Sequence, residues 1–306
     1  NTREQIGDQK KRNTPRGKYI SLALPEKKLN DQYFNNAKNY QFTDQSTIEA
    51  KGISHKFGKF MAVDDVSFNI KKGEIFGFLG SNGCGKTTTM RMLAGLLPPS
   101  SGQVRLYGQE IRANDTSMRR RVGYMSQTFS LYEELTIREN LKFHAQIYEL
   151  GDDLAVEKLV NETLLEFQLT EHSEILAISL PPGLRQRLQL SVACIHSPEI
   201  LILDEPTSGI DLIAREFFWL YLYRLSREKG VTIFISTHIM EEAEKCDRLS
   251  LMSRGRVLVT GSPKSLIDQS GSSDLESVFI KYLEQDMGGQ NPSADCALDK
   301  KSWDIS

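Results

Sequence analysis

The sequence predicts an α/β fold around a mainly parallel sheet, and three stretches predict it. Residues 74–90 run from an apolar strand (Ile75, Phe76, Phe78, Leu79) through a glycine-rich loop into a helix carrying Met90, Met92, Leu93, Leu96 and Leu97 on one side. Ile200-Leu201-Ile202-Leu203 and Val231-Thr232-Ile233-Phe234-Ile235-Ser236 are near-continuous apolar runs, as strands buried on both faces require. Helical stretches alternate with these strands, the pattern of a parallel sheet with right-handed crossovers.

In the loop, Gly80, Gly85, Lys86 and Thr87 fit G-x-x-x-x-G-K-[ST], the phosphate-binding P-loop. The run Gly80-Ser81-Asn82-Gly83-Cys84-Gly85 lets successive amide N–H groups turn inward around an anion. The helix that follows adds partial positive charge at its N-terminus. Lys86 would reach the β- and γ-phosphates, Thr87 would offer its hydroxyl to Mg²⁺, and Thr88 follows in the same turn. Cys84 has two readings: a thiol activated by the helix terminus and the neighbouring lysine, or a small residue that fits.

The 306 residues hold 38 Lys and Arg against 40 Asp and Glu, a formal net charge of -2. Nothing in that balance points to DNA. No apolar run reaches the ~18 residues that cross a bilayer, and no apolar core behind the polar, basic N-terminus marks a signal peptide. Cys84, Cys194, Cys246 and Cys296 are scattered, without metal spacing, which reads as a reducing, cytosolic setting. The first residue is Asn rather than Met, so the chain reads as a piece of a longer polypeptide or a processed one.

Residues 1–46 read as a basic linker or arm, with an alternative reading as a contact for RNA or anionic lipid. Tyr19 to Glu26 loosely echoes Phe279 to Glu284, a hint that an earlier copy of the domain ended before residue 28. From Thr47, apolar residues alternate with polar ones, most clearly at Val66-Ser67-Phe68-Asn69-Ile70, predicting short half-buried strands. Pro98 to Gly102 breaks the helix after the P-loop. Strands are predicted at Gln103–Tyr107 and Val122–Met125, the latter ending at Ser126-Gln127. Thr136 with Glu139 forms a capping box at the start of a helical region, about 130–196, that includes a helix from Leu184 to His196. Helices from Leu212 to Lys229 and from Ile239 to Cys246 alternate with the strands of the last third. The residues from 287 onward read as a mobile tail, leaving 47–286 as the folded domain.

Asp204-Glu205 follows four apolar residues, so it lies at the carboxyl end of a central strand, where open α/β sheets bind ligands. Asp204 there would hold Mg²⁺ and Glu205 would polarise an attacking water. The residues quoted, in this order, resemble the nucleotide-binding domain of ABC-type ATPases over about 47–285. The resemblance implies a P-loop NTPase with a RecA-like, mainly parallel sheet core, an antiparallel β subdomain and a helical subdomain. It implies ATP and Mg²⁺ as ligands. Phe57 is similar to the aromatic that stacks on adenine. Gln127 is similar to the glutamine that contacts Mg²⁺ and reports nucleotide state to the transport partner. Ser208-Gly209-Ile210-Asp211 resembles the loop that crosses to the other subunit, and His238 the histidine that hydrogen-bonds the γ-phosphate.

The family pairs two such domains, each ATP being completed by the partner's Leu-Ser-Gly-Gly-Gln signature. Here Arg185-Gln186-Arg187-Leu188 is intact, but Leu180-Pro181-Pro182-Gly183-Leu184 precedes it. The serine hydroxyl is gone, and two prolines lack amide hydrogens. The expectation is an asymmetric ATPase pair with a second, non-identical nucleotide-binding domain, either separate or in the same polypeptide. The Pro-Pro-Gly-Leu-Arg-Gln-Arg run, the Gly-Ser-Asn-Gly-Cys-Gly-Lys loop and Tyr124-Met125-Ser126-Gln127 are together similar to the second ATPase domain of the bacterial ribosome-associated ATPase and transporter family. That family implies a type-2 exporter-like transmembrane domain and a position at the cytoplasmic face of the inner membrane. The alternatives are a soluble ribosome-associated ATPase without transport, and a low-turnover nucleotide-binding regulatory module.

Overall fold

The computed structural model describes residues 42, 44–111, 118 and 120–286. The edge motif at 19–26, most of the basic arm, Cys296 and the predicted tail lie outside the described residues. Two sheets form the frame. β1 (Ser46–Phe57), β2 (Phe60–Lys71), β4 (Ser101–Leu106) and β5 (Gln109–Glu110) make a four-stranded sheet of order β2-β1-β4-β5, whose described pairings are all antiparallel. β3 (Ile75–Leu79), β6 (Val122–Met125), β7 (Ile200–Asp204), β8 (Thr232–Thr237), β9 (Arg248–Ser253) and β10 (Arg256–Gly261) make the second, of order β10-β9-β3-β8-β7-β6. Its strands are parallel except β10, which closes one edge antiparallel to β9.

The continuous apolar runs are shared between the two faces by the period of two that every strand imposes. Ile200, Ile202, Phe234, Phe76 and Phe78 point toward the antiparallel sheet, where Phe68 stacks between them. Leu201, Leu203, Ile233 and Ile235 point to the other face, into a core with Trp219, Leu222 and Leu188. Every residue of β3, β7 and β8 is buried, so the polar edge of this sheet lies where its strands end.

α1 (Lys86–Leu93) leaves the P-loop. α2 (Ile137–Ile147), α3 (Asp153–Glu166) and α4 (Pro182–Cys194) form the helical region, followed by α5 (Leu212–Lys229), α6 (Met240–Ala243), α7 (Pro263–Ser270) and α8 (Leu275–Asp286). The predicted capping box is present: Glu139 N–H donates to Thr136 Oγ1 at 3.1 Å and Thr136 N–H to Glu139 at 2.8 Å. α5 has the predicted ends, with Gly230 in the left-handed region as its cap. Two predicted boundaries are corrected. α4 begins at Pro182 rather than Leu184, because proline suits a first helical position whose N–H has no partner. The helix expected over Ile239–Cys246 is the four-residue α6, since Ile239 is extended and the chain turns toward β9 after Ala243.

Candidate functional site

Register brings the predicted P-loop, Gln127, Glu205 and His238 to one edge. Leu79 pairs with Thr237, Asp204 with Ser236 and Met125 with Leu203, so β3, β8, β7 and β6 end side by side. The loops leaving them carry the P-loop, His238, Glu205 and Gln127. Parallel strands make this convergence automatic, because all their carboxyl ends face one way.

In the P-loop, Gly85 has φ +107, and a Cβ on it would lie 2.5 Å from the carbonyl oxygen of Ala62. Only glycine fits this conformation and this approach. Lys86 is 4% exposed. Its ammonium donates to Gly80 O at 2.7 Å and Ser81 O at 3.1 Å, and pairs with Glu205 Oε1 at 3.2 Å. The activated-thiol reading of Cys84 is corrected: the side chain is buried, and burial pushes its thiol up despite the nearby Lys86. Cys84 is the small residue that fits.

Glu205 is the hub. It is a non-glycine residue at φ 44, a left-handed conformation that costs about 1–3 kcal/mol unless its surroundings fix it. Ser236 supplies that fixing: its hydroxyl accepts from Glu205 N–H at 2.9 Å and donates to Asp204 Oδ1 at 2.8 Å. The Glu205 carboxylate accepts from Gln127 Nε2 at 3.2 Å and meets His238 Nδ1 at 3.1 Å, both at Oε2. Burial pushes this carboxyl up, but the His238 hydrogen bond and the Lys86 charge outweigh burial and hold it below its ordinary value of 4.5. Glu205 is therefore ionised at neutral pH and able to accept a proton.

A cavity of about 420 Å³ opens beside it, lined by Phe57, Asn82, Gly83, Lys86, Thr87, Thr88, Gln127 and Glu205. Its volume lies in the usual range of ligand pockets, roughly 300–1,000 Å³. The far end is aromatic. Phe57 and Phe60 face each other across the β1–β2 hairpin, 51% and 63% exposed, and both line the cavity. His55 meets the Phe57 ring edge-on at 4.5 Å, and its Nδ1 lies 3.1 Å from Pro98 O. Phe60 and Ser236 did not emerge from the sequence. The register of the hairpin and the alternation along β8 were the signals that place them.

The oxygen groups of Thr87, Asp204 and Gln127 are hard donors of the kind Mg²⁺ prefers. Among the described residues no group of three or more His, Cys, Asp or Glu side chains gathers to hold a metal alone. Thr87 and Gln127 line the cavity and Asp204 ends β7 next to Glu205, an oxygen set that suits a cation held together with a phosphate.

The residues from Leu180 to Leu184 do not line this cavity. Pro181 occupies the N-cap of α4 without a side-chain cap and Pro182 its first turn, so Gly183 supplies the first amide hydrogen of that helix. Arg185 Nε donates to Leu180 O at 3.1 Å, and its guanidinium lies over the Phe129 ring at 5.3 Å. Ser208 sits in the turn after Glu205, its N–H bonded to Glu205 O at 3.2 Å. Asp211 caps α5 through Ala214 N–H at 2.9 Å.

The family model described as "ABC transporter" matches residues 63–208. The chain is 42% identical over 244 residues to the probable multidrug ABC transporter ATP-binding protein YbhF of Escherichia coli (strain K12). That match covers 78% of this chain and 42% of the relative, so the chain spans less than half the length of YbhF. It is 36% identical over 234 residues to the Nod factor export ATP-binding protein I of Burkholderia orbicola (strain AU 1054), covering 76% of each. The solved structure of an ATP-binding subunit of an ABC transporter superposes with a TM-score of 0.69 at 29% identity, covering 78% of this chain and 99% of that one.

Proposed function

The chain belongs to the ABC transporter ATP-binding proteins, which are P-loop ATP hydrolases, and on that premise we propose that it powers export through a membrane domain as one half of an unequal ATPase pair. The observation that carries the catalytic part is the convergence of Lys86, Gln127 and His238 on the Glu205 carboxylate. In this reading Phe57 stacks on the adenine, and the amides from Ser81 to Thr88 cradle the phosphates. Lys86 extends toward the β- and γ-phosphates. Glu205 takes a proton from the attacking water, which Gln127 helps to orient, and His238 donates to the γ-phosphate. Thr87, Gln127 and Asp204 would hold Mg²⁺, which when bound neutralises charge developing on the phosphate oxygens.

The pairing is unequal because this chain offers its partner Leu180-Pro181-Pro182-Gly183-Leu184. One lost preorganised donor costs roughly 10²–10³ in rate in other enzymes, and this loop has lost a hydroxyl and two amide hydrogens. The site completed by a partner's signature turns over, and the site completed by this chain is impaired. A second, non-identical nucleotide-binding domain and a type-2 exporter-like membrane domain are the partners this implies. They put the chain at the cytoplasmic face of the membrane. Among the described residues no helix is long and apolar enough to cross it, so the span would come from elsewhere. The finer placement beside the second ATPase domain of the ribosome-associated ATPase and transporter family rests on the three motifs quoted for it. Stimulation of the ATPase by ribosomes rather than by membranes would favour the soluble alternative.

Glu205→Gln tests the assignment. The variant keeps the shape and loses the proton acceptor, so ATP stays bound while turnover falls roughly 10²–10⁴-fold, the usual weight of a general base. Unchanged turnover would remove Glu205 from the mechanism.

A further inference from the structure

We propose that Glu242 is a positioning residue for ATP hydrolysis, tying the turn after Glu205 to the strand end that carries His238. The inference rests on the ATPase reading above and adds a residue to it.

Glu242 lies in α6 and is 1% exposed. Both of its carboxylate oxygens are engaged, and by different loops. Oε1 accepts from Thr207 Oγ1, two residues beyond Glu205 in the chain, and stands 3.6 Å from Arg215 Nε on α5. Oε2 accepts from Thr237 Oγ1 at 2.7 Å. Thr237 immediately precedes His238, and its hydroxyl also accepts from Ile239 N–H at 3.0 Å, so the backbone on both sides of His238 is fixed through one threonine. Thr207 in turn stands between Glu205 and Ser208, whose N–H bonds back to Glu205 O at 3.2 Å. A single buried carboxylate thus spans the turn bearing Glu205, Ser208 and Asp211 and the turn bearing His238.

A simple structural brace does not explain this placement. A polar side chain at this depth is costly unless its hydrogen bonds are met, and those of Glu242 are met from two different loops. α6 has four residues, too short to set the direction of His238 by its own hydrogen bonds. What the carboxylate adds is a fixed distance between two loops that act on the same phosphate. His238 Nδ1 reaches Glu205 Oε2 at 3.1 Å only while both loops keep their spacing. A displacement of about 1 Å at such a contact costs roughly 10²-fold in rate.

The test uses Thr207→Val, which deletes one hydroxyl at nearly constant volume, with Glu242→Gln and Thr207→Ser beside it. In the purified full chain, the ring signal of His238 in a histidine-resolved NMR spectrum moves in Thr207→Val and Glu242→Gln and returns in Thr207→Ser. In the assembled ATPase, both variants lower kcat about tenfold or more while KM for ATP stays within about twofold. In a His238→Ala background, Thr207→Val adds no further loss, because Glu242 acts through that histidine. The proposal is overturned by an unmoved His238 signal, or by a kcat loss of the same factor with and without His238. A wild-type chain that binds no ATP and shows no turnover would instead sink the ATPase reading, and the His238 signal would still decide whether Glu242 positions it.

Discussion

At the residue scale the aromatic end and the charged end of the cavity are held by different physics. Phe57 and Phe60 line one end of the cavity with two exposed rings, the end proposed for the base. Stacking on an aromatic contributes roughly 1–3 kcal/mol per base. Phe57→Ala therefore weakens ATP binding by about 5- to 150-fold in a fluorescence titration, with kcat at saturating ATP nearly unchanged. An unchanged Kd would take the adenine away from this hairpin. At the other end, charge decides. The depressed pKa of Glu205 means that its ionised form stabilises the fold above the ordinary carboxyl value. That contribution is lost as pH falls through the folded value, below 4.5. Turnover lost at pH 6 thus has a source other than Glu205. The positions of Lys86 and Asp204, at the start of α1 and the end of β7, were legible from spacing and strand position. The hub geometry of Glu205 was not, because it depends on Ser236, Gln127 and His238 meeting across three strands. Lys86 also showed a second side in the structure: it neutralises Glu205 as well as facing the cradle.

At the element scale, α4 holds the loop that follows Gln127. Arg185 covers Phe129 and holds Leu180 O, and Gln189 Nε2 donates to Thr128 O at 3.2 Å. The loop after Gln127 is thereby gripped by the same helix that begins at the prolines. The strands and helices on either side were legible because their apolar patterns are long. β10, α7 and α8 escaped the sequence reading; Arg256–Gly261 and Pro263–Ser270 bury little, and α7 and α8 are short. The extent of β1 was hidden by the register breaks around Gly52, which scatter its apolar residues. One element contact makes a pH prediction. His196, after α4, lies 3.2 Å from Val122 O through Nε2 and stacks on Tyr148, beyond the end of α2, at 4.0 Å, with His144 one turn before. Burial lowers both histidines below their ordinary 6.5. The unfolded chain then binds more protons than the folded one just below that value, so stability falls as pH drops through 6.5. Thermal unfolding at pH 7.5 and 5.5 should show a lower Tm at 5.5, and His196→Asn should reduce the difference. An equal difference in the variant would place the proton uptake elsewhere.

At the scale of the whole molecule, the P-loop and the two prolines that open α4 lie on different elements of one fold. The cradle was legible in the sequence because its chemistry needs fixed residues at fixed spacing. The consequence of the prolines is a matter of pairing, which a single chain's fold does not reveal. The most direct measurement compares ATP-dependent dimerisation and ATPase rate of the purified chain, without partners, with those of the Pro181→Ser/Pro182→Gly/Leu184→Gln variant. The wild-type chain is expected to bind ATP but to dimerise weakly and turn over slowly. The variant, with hydroxyl and amide donors restored, should pair on ATP and hydrolyse it about tenfold faster or more. Fast, cooperative hydrolysis by the wild-type chain alone, with no gain in the variant, would contradict it.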